Sequence, residues 1–369
     1  MSAELTLGAE EELHLIDLDS WRLSASAPQL LTMLPSEGYG AELQRTTIET
    51  NTEVVQTLGG LRAELERLRS GVMDVAGPLG VGIASVGTAP HSEISDFELT
   101  PSHRFGAMQE KYRLLVDEQL ICGFQVHVGV SDRDLAIQLA QRVAEHLPVL
   151  LALSASSPFW NGHDTGYASV RSLVWQRWPS AGATGPLASA AEYDELLADL
   201  IGSGVIADDG MAYFDIRPSS HAPTLELRVC DALPLVDDAV LIAGLFRAAV
   251  RSAEIDIENG VALQVRRAPV QRAALWQAAR TGLSADLVGP GAHPQPITAA
   301  DAVRGLVTNL RPVLEEFGDW PEVHELAENL LARGNSSNRQ RHVFTRTGSL
   351  DDVVQHVVRE TQSVGGRTL

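Results

Sequence analysis

The stretch Leu5-Thr6-Leu7-Gly8-Ala9-Glu10-Glu11-Glu12-Leu13-His14-Leu15-Ile16-Asp17 decides how the rest of the chain is read. Taken with a period of two, Leu5, Leu7, Ala9, Glu11, Leu13 and Leu15 fall on one side. Thr6, Gly8, Glu10, Glu12 and His14 fall on the other, the pattern of a strand with one apolar and one acidic face. Carboxylates two residues apart on a strand lie about 7 Å from each other. At neutral pH they repel unless a cation sits between them, and a divalent metal is the natural neutraliser.

A lone E-x-E is most simply a solvated strand face, but the pattern recurs. In Phe124-Gln125-Val126-His127-Val128-Gly129-Val130 the apolar side chains alternate with Gln125 and His127. In Thr224-Leu225-Glu226-Leu227-Arg228-Val229-Cys230 they alternate with Glu226 and Arg228. A merely solvated sheet carries Thr, Ser and Lys, whereas these faces carry Glu, His, Gln and Arg.

At 369 residues the chain can bury a sizeable core, and no linker or internal repeat divides it, so 1–369 is read as a single catalytic domain. No apolar run is long enough to span a bilayer and Met1-Ser2-Ala3-Glu4 does not start a signal peptide, so a cytoplasmic protein with no membrane partner is expected. The net charge of -20 argues against nucleic acid as a partner. Cys122 and Cys230 read as buried thiols rather than a disulfide or metal knuckle. Lys111 is the only lysine and no G-x-x-x-x-G-K-[ST] loop occurs, so a P-loop is excluded and any phosphate is held by Arg, metal or backbone.

Along the chain, a second strand is expected within Glu42–Glu53, with Glu49 and Asn51 on one face, followed by a helix over Leu61–Ala76. That helix's Glu64, Glu66, Arg67 and Arg69 read as a solvated face. A helix is expected over Phe105–Leu120, and an irregular rim rich in tryptophan over Ser157–Gly185, with Trp160, Trp175 and Trp178. Met211–Arg217 and Thr224–Asp231 read as an antiparallel pair, and everything beyond Pro234 as helical, with Thr298 and Ser349 as N-caps. Strands first and helices last give an α+β class: a mainly antiparallel curved sheet with helices on one face and the polar residues on the other.

On the residues alone, Glu10, Glu12, Glu49 and Glu226 read equally as a metal cradle or as unrelated surface carboxylates. Oxygen donors favour Mg²⁺ or Mn²⁺ over Zn²⁺. A lone His is more often a satisfied core residue than a ligand, but the position of His127 opposite the apolar face points to the site, whereas His14 is given no role. Arg228 reads either as an ion-pair partner of Glu226 or as a phosphate grip. Arg171 reads either as a clamp on a substrate carboxylate or phosphate, or as a surface cation packed on Trp175.

Six ordered motifs then converge on one resemblance: Gly8-Ala9-Glu10-Glu11-Glu12-Leu13, Ile48-Glu49-Thr50-Asn51-Thr52, Cys122 to Val130, Ser157-Pro158-Phe159-Trp160, Asp164 to Ser169 with Arg171, and Pro223 to Asp231. Together with Asn335 to Arg341 they are similar to the bacterial carboxylate-amine ligase family, also called type 2 glutamate-cysteine ligase. The resemblance implies a glutamine-synthetase-like fold, ATP with Mg²⁺, and amide formation between a small-molecule carboxylate and an amine through an acyl phosphate. It implies Glu10, Glu12, Glu49, His127 and Glu226 as metal ligands, Arg228 with Gln125 toward ATP, and Arg171 toward the acyl substrate or the transferred phosphoryl group. A homodimer is an assembly the expectation admits. Gln125 stands where many members carry His, and Val170 where many carry Tyr. Two other functions are weighed against the ligase: a kinase-like phosphotransferase on a carboxyl or guanidino group, and a non-catalytic metal or nucleotide binder.

Overall fold

The computed structural model describes residues 5–264, 266–291 and 293–363. Seven strands form its main sheet: β1 (Leu7–Asp17), β2 (Tyr39–Ala41), β3 (Thr47–Asn51), β4 (Val81–Ala84), β5 (Gly123–Gly129), β6 (Ile216–Pro218) and β7 (Thr224–Asp231). Their order is β2-β3-β1-β5-β7-β6, with β4 a further partner of β1, and every pairing is antiparallel. The long opening strand lies at the centre because its alternation suits one buried and one polar face.

Leu7, Ala9, Phe124, Val126, Leu225 and Leu227 all enter the same buried core. The helix Val236–Glu258 is apolar on nearly every side and lies within this layer, packed against Leu58–Ala76, Arg133–Val143, Leu147–Ser154, Ala299–Phe317 and Trp320–Arg333. The expected arrangement, an antiparallel sheet with helices over one face, is the observed one.

One irregularity lies beside the site. Phe124 pairs with Cys230 and Val126 with Leu227, so β7 carries one extra residue opposite Gln125. Such a bulge re-aims a side chain at the point where the ladder slips. Arg228 shares the polar face with Glu226 by simple alternation, and the bulge beyond it lets Val229 and Cys230 both reach the core.

Several expectations need correction. The helix over Phe105–Leu120 is two pieces, His103–Tyr112 and Leu114–Asp117, because Arg113 between them has φ +50°. The second strand is only Thr47–Asn51, and the strand ending at Arg217 starts only at Ile216, since Asp209–Met211 is a single tight turn. The region beyond Pro234 is not wholly helical: Leu287–Val288 and Pro296–Ile297 pair as a small sheet. Thr298 and Ser349 do cap their helices, accepting from the amides of Asp301 and Asp352.

The largest departure is Arg69, which is completely buried rather than solvated. Its five N–H donors are all used: two to the buried Glu11, at 2.5 and 3.0 Å, and three to the carbonyls of Leu233, Pro234 and Thr361. Ser85 Oγ adds a bond of 2.8 Å to Glu11. Glu11 thus occupies an apolar-face position of β1 because a matched cation meets it there. Its helix neighbours Glu64 and Arg67 form an ordinary surface pair, as expected. Both cysteines are free, buried thiols.

Candidate active site

Antiparallel register places the polar face of the sheet residue by residue. Glu12 stands directly opposite Glu49 on β3, Glu10 is flanked by Asn51 and Gln125, and His127 opposes Glu226, which in turn opposes Arg217. Directly opposed side chains have Cβ atoms about 5 Å apart, close enough to share one ion. Two triads result, Glu10 with His127 and Glu226, and Glu12 with Glu42 and Glu49, each with donor atoms within 4.8 Å of one another.

In the first triad, His127 Nδ1 pairs with Thr224 Oγ1 at 2.9 Å. This fixes the ring so that Nε2 faces inward, where it makes no hydrogen bond although a Glu10 oxygen lies 3.2 Å away. A buried imidazole nitrogen left open, with its partner nitrogen held by a hydroxyl, is the arrangement of a metal-ligating histidine. Glu226 is 2% exposed and accepts hydrogen bonds from Arg217 Nε, at 3.0 Å, and from Arg228, which also donates to Gln125. Burial opposes its ionisation, yet Arg228 and Arg217 override this and hold its carboxyl down at about 2. Glu226 is therefore charged at any working pH.

The second triad lacks such compensation. Burial pushes Glu12 up to about 7, with Arg171 opposing and Glu49 adding to the rise. Burial, together with Glu12 and Glu49, lifts Glu42 well above the ordinary carboxylate range, and Glu49 is raised by burial and by Glu10. Three half-buried carboxylates that resist ionisation together are stabilised by a hard cation. The all-oxygen donors of this triad, and the oxygen and imidazole donors of the other, suit Mg²⁺ or Mn²⁺.

Every triad residue but His127 lines a cavity of about 530 Å³. Leu43, Phe105, Met108, Trp178 and Tyr213 line its apolar part, and Arg104, Arg171, Arg217 and Arg228 supply cations. Arg171 is 3% exposed and loosely held by the carbonyls of Val229 and Arg228, at 3.4 and 3.5 Å. Both Arg171 and Arg228 hold their guanidinium carbons 5.6 Å from the Trp175 ring centroid, so one indole helps position both. Gly123 leaves room for the Arg171 guanidinium, which a Cβ at that position would displace.

The structure brings Glu10, Glu12, Glu49, Gln125, His127, Glu226, Arg171 and Arg228 to one place. Sequence reasoning missed Glu42, Arg104 and Arg217. Arg217 ends the expected Met211–Arg217 strand and stands opposite Glu226, so the antiparallel pairing could have revealed it; Glu42 lies outside any strand and Arg104 on a separate helix, and neither carries a periodic signal. Of the expected tryptophan rim, Trp175 and Trp178 reach the cavity, whereas Trp160 sits in a small hairpin of Phe159–Trp160 with His163–Asp164. Within that rim, Asp164 is held by Arg341 at 2.6 Å, which joins two of the motifs structurally rather than chemically.

The model of glutamate-cysteine ligase family 2 matches residues 6–356. A provisionally named glutamate–cysteine ligase 2-2 of Mycolicibacterium smegmatis is 52% identical over 360 residues, covering 97% of this chain and 90% of that protein. A relative of the same name from Frankia casuarinae is 49% identical over 98% of this chain, which spans only 42% of that longer protein. Among solved structures, a glutamate–cysteine ligase from Francisella tularensis in complex with AMP aligns with a TM-score of 0.69 at 13% identity, over 99% of this chain and 90% of that one. A bifunctional glutathione synthetase from Pasteurella multocida aligns at 0.70 and 13% identity, over 97% of this chain and 52% of that one. At such identity the two share its fold.

Proposed function

The chain belongs to glutamate-cysteine ligase family 2, and from that membership and the geometry of its site we propose that it is an ATP-dependent carboxylate-amine ligase. The reaction joins a small carboxylate to an amine through an acyl phosphate, and L-glutamate with L-cysteine is the pair that the names of its relatives put first. The observation that carries this reading is the pair of triads on one sheet face, beside one cavity whose lining combines carboxylates, four arginines and apolar side chains.

Glu10, His127 and Glu226 would hold one divalent cation and Glu12, Glu42 and Glu49 a second. When bound, such ions supply positive charge against the triphosphate and the transferred phosphoryl group. The chain's own residues do the rest. Arg228 keeps Nε free of any hydrogen bond while Nη1 is anchored on Glu226 and Gln125, so it presents a fixed cation to phosphate oxygens. Arg171, held against the same indole as Arg228, orients the acid beside the phosphates. Leu43, Phe105 and Met108 offer apolar contact to the nucleotide base and exclude water from the reacting end.

The test is ADP release with ATP, Mg²⁺ and panels of amino acids, with hydroxylamine as a trapping nucleophile. A ligase yields a hydroxamate whenever the correct acid is present. A stable phosphorylated product that hydroxylamine does not intercept would make the enzyme a phosphotransferase instead.

A further inference from the structure

Behind Trp175 lies a second cavity of about 230 Å³, and Arg171 and Trp175 border both this one and the larger site. Leu151, Val229, Leu275 and Ala279 give it mostly apolar walls. Asp215 also lines it, only 3% exposed, and its Oδ2 has no hydrogen-bond partner among the described residues. Two further buried polar atoms on the same lining are unpartnered, Arg171 Nε and Trp175 Nε1. The exposed Arg272, on the helix Ala268–Thr281, stands at the rim. Buried polar groups are nearly always paired, so three residues of one lining that each carry an unpartnered polar atom point to a polar occupant.

The chemistry of that occupant follows from the donors and acceptors. One carboxylate asks for a cation, while an indole N–H and two guanidinium groups ask for an anion. The volume is too small for a nucleotide and fits a molecule of a few heavy atoms. We infer that this second cavity is the amine subsite and that it takes a small α-amino acid as the zwitterion, its ammonium on Asp215 and its carboxylate toward Arg272 and Trp175. The inference rests on the ligase reading given above and adds where the nucleophile waits: against Arg171, the residue the two cavities share. Burial raises Asp215 to about 7, with the charge of Arg171 opposing. It is thus placed to take one proton from the bound ammonium, leaving a neutral amine and a protonated carboxyl.

The experiment compares Asp215→Asn with the parent in ADP release, with L-glutamate as acid and either L-cysteine or hydroxylamine as nucleophile. Hydroxylamine is largely uncharged at neutral pH and has no need of the anchor. Loss of a charge-assisted bond predicts a rise of at least about tenfold in the apparent KM for cysteine. The KM for glutamate and the hydroxylamine-dependent rate stay within about twofold of the parent, since neither uses the lost bond. Arg272→Glu, at an exposed position that leaves folding intact, raises the cysteine KM in the same way. Titration with L-cysteine alone, read by tryptophan emission because Trp175 and Trp276 both line the cavity, weakens in step in both variants. A raised KM for glutamate with cysteine unaffected would overturn the inference and make Asp215 only an orienting partner of Arg171. An unchanged KM for both would overturn it as well. If the parent forms no hydroxamate from glutamate or any other acid, the ligase reading itself falls and the amine subsite with it.

Discussion

Glu11 and its neighbours Glu10 and Glu12 are the same residue type on the same strand, yet they live in opposite electrostatic worlds. On the core face, Glu11 meets a guanidinium whose five donors are all satisfied and which, like Glu11 itself, is fully buried. On the other face, Glu12 joins Glu42 and Glu49 with too little positive charge nearby, and burial raises all three above the ordinary carboxylate range. The first cluster carries its counter-ion covalently; the second has no such matched cation among the described residues. Closed and open charge can thus be told apart by whether the partner is part of the chain, and the open kind is the mark of a candidate site.

The comparison breaks most visibly at Arg69. Arg69→Met leaves Glu11 buried without its cation and is expected to cost about 3–5 kcal/mol. A urea midpoint shift corresponding to less than about 1 kcal/mol, the worth of an exposed pair, would show that the core-face pair is no more important than a surface one.

Glu49→Gln tests the open cluster and should give the opposite signature. Removing one of three mutually repelling carboxylates leaves stability unchanged or raised in metal-free buffer, while the rate of ADP release falls at least about 100-fold. A variant that is destabilised but retains its rate would mean that Glu49 is structural.

His14 sharpens the comparison with the smallest effect. It shares strand parity with Glu10 and Glu12 but lies fully buried, and burial pushes its imidazole down to about 3. Between its ordinary value and 3 the unfolded chain binds a proton that the folded chain refuses, so stability rises with pH through this window and is lost on acidification. At pH 5 this costs about 2 kcal/mol relative to neutral pH. The difference in unfolding free energy between parent and His14→Leu, measured from pH 7 to pH 5, should shrink by that amount; a pH-independent difference would place the ring in contact with a compensating group.

How much of this was legible in the sequence depends on which force placed each residue. Glu10, Glu12, Gln125, His127, Glu226 and Arg228 were all readable because strand parity is local, and it held even through the bulge opposite Gln125. Glu42 was quoted within the second strand but lies just past a three-residue edge strand, where no periodicity speaks for it. Arg69 reads as solvated in the sequence because a helix shows its stripe but not the carboxylate, Glu11, that a distant strand brings against it. Arg104 reaches the cavity from a helix that ends at a left-handed Arg113, a break that local propensity does not announce.

The Arg69 guanidinium also binds the carbonyl of Thr361, whose hydroxyl accepts the amide of Ser85 beside β4. The strand that begins the sheet therefore acquires its full set of partners only from a residue some 350 positions later in translation. A nascent chain on the ribosome can pair β1 with β3, β4 and β5 early, but it carries a half-solvated Glu11–Arg69 pair until the helix Leu350–Gln362 has emerged. Arrival of that helix, rather than any step within the sheet, is what closes the buried pair off from water.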